Sequence, residues 1–269
     1  MDMISLRNIQ KSYGSQQVLR DVNLTVKQGE IYGLVGKNGA GKTTIFKIIL
    51  GLTEFENGQL SIAEKSTKVG LESSRKKIGF FIGKNFFDYL TAKENLDYYR
   101  RMKGIKDKGE TERVLKLVGL DGASAKFGSF SMGMKQRLGI ANAMLGNPEI
   151  LILDEPVNGL DPQGIADIRN LLAALSRDYG TTIIVSSHIL GELEHTATRF
   201  GIIDQGRVLR EITHEDLKVP NDKIQLRVSD CAEAKRILAK NGISVLQESS
   251  ECKSLEDYYF ELVEGNIHE

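Results

Sequence analysis

The stretch GLVGKNGAGKTTIFKIILG, residues 33–51, decides how the chain is read. It sets Gly36, Gly39 and Gly41 around Lys37, Asn38 and Ala40, and follows them with Lys42, Thr43 and Thr44. Glycines let successive backbone N–H groups turn to one concave side, and a helix opening directly after them aims its positive end at the same point. A polyanion fits that cradle. Lys42 is placed to reach terminal phosphates, and the Thr43 hydroxyl to ligate Mg²⁺. The spacing is G-x-x-x-x-G-K-[ST], and its flanks agree: an apolar strand at residues 31–35 precedes it, and Ile45, Ile48 and Ile49 follow at helical spacing.

Working outward, residues 1–30 alternate apolar and polar positions, as at Val22, Leu24 and Val26, which predicts half-exposed antiparallel strands. ILIL at 150–153 and TTIIV at 181–185 are continuous apolar runs, as in parallel strands covered on both faces. Between them Ile165, Ile168, Leu171, Leu172 and Leu175 keep helical spacing and complete a βαβ unit. Residues 85–147 are charged and helical in pattern, an inserted helical subdomain. FGIIDQGRVLREI, 200–212, reads as a hairpin turning at Gln205-Gly206. Pro220-Asn221-Asp222 then divides a main domain, 1–219, from a small α/β appendage, 220–269. In that tail Ile224, Leu226 and Val228 alternate, a helical stretch runs to Asn241-Gly242, and SLED at 254–257 opens a second helix as a capping box.

Thirty-six basic residues balance thirty-six acidic ones among 269, so no global positive field argues for nucleic acid or an anionic membrane surface. The N-terminal residues lack the basic and apolar regions of a signal peptide, and no apolar run nears the roughly 20 residues that span a bilayer. A cytoplasmic protein is the expectation. Cys231 and Cys252 stand far apart without CxxC spacing and make no metal or redox motif.

Three further constellations carry chemistry. Asp154-Glu155 ends an apolar strand, at the edge where ligands sit in open α/β sheets. There Asp154 can hold the Mg²⁺ shell through water, and Glu155 can orient or deprotonate an attacking water. Taken alone, the pair also fits an acidic turn. His188 follows another buried run, TTIIVSS, and by itself reads as an ordinary satisfied histidine. FSMGMKQR, 130–137, sets Ser131 and Gly133 at the start of a basic helical run, either a simple helix cap or a second anion cradle.

Taken in order, these pieces resemble the ATP-binding subunit of an ABC transporter over residues 3–217. GKNGAGKT is similar to its Walker A loop, FSMGM to its signature motif, ILILDEP to Walker B and NGLD at 158–161 to the D-loop, with His188 as switch histidine and Tyr13 as the ring that stacks on adenine. The resemblance implies an α/β P-loop NTPase core with an antiparallel β-subdomain, a helical insertion and the small C-terminal appendage. It also implies ATP and Mg²⁺ as ligands, Glu155 and His188 as catalytic residues, and Asp161 as the D-loop carboxylate. Two subunits, identical or related, would sandwich two ATPs, each site completed in trans by the other subunit's Ser131, Met132, Gly133 and Met134. Finer segments, among them LEDYYFELVEG near the end, resemble the ATPases of bacitracin-resistance and lantibiotic-immunity exporters. Those act with separately encoded transmembrane permeases, which would hold this chain on the inner face of the membrane.

One position departs from the pattern. After KKIGFFI the family carries a glutamine or glutamate facing Mg²⁺ and the membrane partner, and this chain has Gly83. The alternatives are a soluble ABC ATPase acting on ribosomes or DNA, for which tandem domains and a basic surface are missing, and a nucleotide-dependent regulatory protein, for which Gly83 is the support.

Overall fold

The computed structural model describes residues 1–83, 86–194, 196–217, 228, 230–243 and 245. Alternation builds the first two strands. β1 (Asp2–Tyr13) and β2 (Gln16–Lys27) pair antiparallel, with Ile4 opposite Val26, Leu6 opposite Leu24 and Ile9 opposite Val22, all of them buried. β3 (Ile31–Val35) is buried at all five positions and runs through the glycine loop into α1 (Lys42–Leu50).

The sequence reading missed the next three elements. β4 (Asn57–Ile62) pairs antiparallel with β1 and widens the first sheet to the order β2-β1-β4; α2 (Lys68–Arg75) and β5 (Ile78–Phe81) follow. β4 buries only Leu60 and Ile62 and opens on Asn57-Gly58, so its alternation is too short to read as a strand. Residues 86–147 carry α3 (Ala92–Met102), α4 (Gly109–Leu117), a 3-10 turn at Phe127–Ser129 and α5 (Met132–Ala143). Next come β6 (Ile150–Asp154), α6 (Pro162–Tyr179), β7 (Thr182–Ser187), α7 (Leu190–Glu194), β8 (Arg199–Asp204), β9 (Arg207–Thr213) and α8 (His214–Leu217).

The large sheet has the order β5-β6-β7-β3-β8-β9, parallel except for the hairpin β8–β9, which turns at Gln205-Gly206. Its strands are apolar on both sides because both sides are covered. Ile150, Ile152, Ile184, Tyr32 and Leu34 pack with α1 and the antiparallel sheet. Leu151, Leu153, Ile183 and Val185 pack with apolar residues of α3 to α6. The strands β3, β6 and β7 are therefore fixed from two directions, and their C-terminal ends lie side by side.

Chain contacts divide the protein into two compact units, Met1–Lys218 and Val219–Glu269. The second contains α9 (Cys231–Lys240), N-capped by Asp230, whose side chain accepts from the Glu233 N–H at 3.0 Å. The alternating residues Ile224 and Leu226 and the SLED capping box lie outside the described residues.

One polar side chain organises the segment between β5 and α3. Asn95 is fully buried; its Oδ1 accepts from the Phe87 N–H at 2.9 Å, and its Nδ2 donates to the carbonyls of Phe87 and Thr91, both at 3.1 Å. Asn95→Ala should strand those groups at about 1–3 kcal/mol each, visible as a lowered thermal midpoint. Asn95→Asp keeps the acceptor but sets a buried carboxylate against the Phe87 and Thr91 carbonyls, and should lower the midpoint at least as far; an unchanged midpoint for the alanine variant would remove Asn95 from this role.

Candidate active site

β3 delivers the glycine loop. The Gly36 N–H donates to the Ser187 carbonyl at 3.3 Å, and any side chain at Gly36 would overlap the carbonyl of Ile203 on β8. Gly41 caps α1 with φ +112, a left-handed conformation reserved for glycine, and a Cβ there would lie 2.6 Å from Leu19 Cδ2. Because the cap has no side chain bonded to the helix and the first turn has no acidic residue, the opening N–H groups of α1 keep their capacity for an anion. Lys37, Asn38 and Gly39 are exposed, Ala40 is buried, and Thr43 and Thr44 are half-buried.

Lys42 is only 6% exposed. Its Nζ donates to the Gly36 carbonyl at 2.5 Å and the Lys37 carbonyl at 3.3 Å, and lies 3.2 Å from Glu155 Oε1. Thr43 Oγ1 donates to Asp154 Oδ2 at 2.7 Å. The two residues that the sequence assigns to a cation thus converge across β6 and α1. Among the described residues no group of three or more His, Cys, Asp or Glu could hold a metal ion. One carboxylate and one hydroxyl suit Mg²⁺, which keeps most of its shell as water and phosphate oxygen.

Asp154 and Glu155 follow β6 as expected, and a residue the sequence reading passed over fixes them. Ser186 sits opposite Asp154 in the parallel register of β6 and β7, fully buried. Its hydroxyl donates to Asp154 Oδ1 at 2.7 Å and accepts from the Glu155 N–H at 2.9 Å. The pin turns the chain at once, since Glu155 has φ +53, rare for a residue with a side chain. Its carboxylate then lies between two nitrogens: Lys42 Nζ at Oε1, and His188 Nδ1 at 2.6 Å from Oε2. The signal for Ser186 was its place two residues before His188 in VSSH.

The signature residues open α5. Ser131 is its N-cap, its Oγ accepting from the Met134 N–H at 3.3 Å, so the simple-cap reading is correct locally. Met132 and Gln136 on α5 line one cleft of about 290 Å³ together with Gly83, Asp154 and Glu155. Gly83 itself has φ +74, and nothing stands within 4 Å of where a Cβ would be. Asp161 caps α6, its Oδ1 accepting from the Gly164 N–H at 2.8 Å. Tyr13 is exposed at the end of β1, with the Lys11 ammonium 5.0 Å from its ring centroid. A larger cleft of about 570 Å³ lies among Thr91, Lys93, Glu112 and Asp121 and includes none of these residues.

Comparison with known proteins identifies the family. The family model described as ABC transporter matches residues 19–158. The bacitracin transport ATP-binding protein BcrA of Bacillus licheniformis is 38% identical, covering 98% of each chain. The lantibiotic transport ATP-binding protein SrtF of Streptococcus pyogenes is 39% identical over 78% of this chain and 90% of its own. A dimeric ATP-binding cassette solved in a post-hydrolysis state with ADP and Pi superposes with a TM-score of 0.70 at 30% identity, covering 78% of this chain and 98% of that one. Among the described residues no helix is long and apolar enough to cross a membrane. With its phosphate loop, its paired carboxylates and near full-length relatives in agreement, the chain belongs to the ABC transporter family, as an ATP-binding, ATP-hydrolysing subunit.

Proposed function

We propose that this subunit powers the export of a peptide antibiotic through separately encoded membrane permeases, with residues 1–219 as the nucleotide-binding domain and 220–269 as an appendage to it. The observation that carries the reading is the run Lys42–Glu155–His188, joined at 3.2 and 2.6 Å beside the glycine loop. The names of the relatives, which transport bacitracin and a lantibiotic, supply the substrate class.

In this reading residues 36–44 cradle the phosphates through the N–H groups that open α1 and through the Lys42 ammonium, and Tyr13 stacks on the adenine. A phosphate oxygen reaching Lys42 competes with Glu155 for the ammonium. Released from Lys42, Glu155 accepts the proton of the attacking water, and His188 keeps its carboxylate oriented through Oε2. Thr43 and, through water, Asp154 hold Mg²⁺, which when bound neutralises charge on the phosphates. Closure of two subunits, identical or related, brings Ser131, Met132, Gly133, Met134 and Asp161 of each against the nucleotide of the other, and that closure moves the permease from the cytoplasmic side of the membrane.

Three substitutions test the reading. Lys42→Ala removes the loop's charged donor and should weaken MgATP binding about tenfold to a hundredfold in calorimetry, and should abolish peptide-antibiotic tolerance in cells that express the chain with its permease. Undiminished affinity would sink the role of Lys42. Glu155→Gln keeps the shape without the proton acceptor, and should accumulate an ATP-bound dimer in size-exclusion while hydrolysis nearly stops; a monomer hydrolysing at the wild-type rate would contradict it. Ser186→Ala leaves the Glu155 N–H unpaired and frees the turn, so kcat should fall about tenfold or more with MgATP affinity nearly kept, a loss of about 1.4 kcal/mol or more from the transition state alone. Equal losses in both would show that Ser186 only stabilises the fold.

A further inference from the structure

Tyr13 stands at the tip of a hairpin that reaches the phosphate loop. β1 and β2 stay paired as far as Tyr13 opposite Gln16, leaving Gly14-Ser15 as the turn, with Gly14 at φ +58. Two residues back Lys11 pairs with Leu19, and a Cβ at Gly41 would lie 2.6 Å from Leu19 Cδ2, so the root of the hairpin rests on the glycine loop. On the other side of β1 the ladder with β4 ends at Gln10 opposite Asn57, and Glu56, the residue before β4, continues the contact. Its N–H donates to the Gln10 carbonyl at 2.9 Å, and its Oε1 lies 3.3 Å from Lys11 Nζ. The Ser12 backbone also bonds that carboxylate and, ahead of Lys11, holds it below the usual carboxylate range. Lys11 is not a freely solvated cation: its side chain is 14% exposed, against 44% for Glu56, and its ammonium stands 5.0 Å from the centroid of the Tyr13 ring. At that distance a cation is drawn to the ring face. Tyr13 is 47% exposed, so the ring keeps a face for a second planar group while Lys11 covers the first.

From this geometry we infer that Lys11, anchored by Glu56, is a positioning residue for the nucleotide base: it holds the Tyr13 ring by one face and presents the other to the purine. Without that hold the ring, at the end of an exposed hairpin, samples several rotamers, and ordering it on binding lowers affinity. The effect belongs to the base alone, since Lys42 and the N-terminus of α1 hold the phosphates. The pair also ties the base contact to residue 56, at the entry to β4, an element that touches neither the phosphate loop nor the paired carboxylates in any contact described above. The inference rests on the stacking of Tyr13 on adenine proposed above.

The test is a double-mutant cycle on the purified full-length chain, with MgATP affinity read by calorimetry. Lys11→Met keeps an apolar stem without the charge, and should weaken MgATP binding about twofold to fivefold while the thermal midpoint stays nearly unchanged. In a Tyr13→Ala background the same substitution should change nothing, because there is no ring to hold. Lys11→Arg, which keeps a cation beside the ring, should bind as wild type does, and Glu56→Ala should weaken binding in the same direction as Lys11→Met. A Lys11→Met protein with wild-type affinity overturns the inference. So does an equal loss in both backgrounds, which would show that Lys11 acts on the phosphates through its charge or on the fold. Undiminished affinity in Tyr13→Ala would remove the stacking reading and this inference together. A weakened Tyr13→Ala beside an unchanged Lys11→Met would remove this inference alone.

Discussion

The Asp154 carboxylate is the point on which the site depends. One oxygen accepts from Thr43 on α1 and the other from Ser186 on β7, so a single side chain at the end of β6 ties three elements together. Both bonds are to hydroxyls in a half-buried setting, where a charged acceptor strengthens them beyond a neutral pair. The positions they fix are those of the phosphate loop and of the turn that begins at Glu155. Together with the Lys42–Glu155 ion pair, that tie joins the glycine loop to the turn after β6.

The sheet makes this tie possible. In parallel strands covered on both faces, register is set by side chains of both layers, and Asp154 falls opposite Ser186 because Ile150 to Leu153 alternate between the two cores. The close approach of β8 to Gly36 extends the same logic to the loop: the backbone of residue 36 lies against the Ile203 carbonyl with room for hydrogen alone. The geometry of the candidate site is inherited from packing among apolar side chains and backbone.

Much of this was legible in the sequence. The glycine loop, β6 with its two carboxylates, β7, the βαβ helix and the hairpin at Gln205-Gly206 all carry strong local signals, long apolar runs or obligate turn residues. β4 and β5 do not, since the first is short and mostly exposed and the second holds four residues, two of them outside the core. Ser186 was missed for another reason. It works through a partner distant in sequence, Asp154, thirty-two residues away, and neither composition nor periodicity encodes such a pairing. Ser131 shows the converse, where a local reading as helix cap and a reading as part of an intersubunit site describe one hydroxyl without conflict.

Gly83 bears on how this chain can change over generations. Its backbone lies in the left-handed region, open to solvent, where any side chain is strained although none would collide. A glutamine substituted there would meet that strain before it could offer a hydrogen bond, so a side chain at this position requires the loop to refold as well, a change of more than one residue.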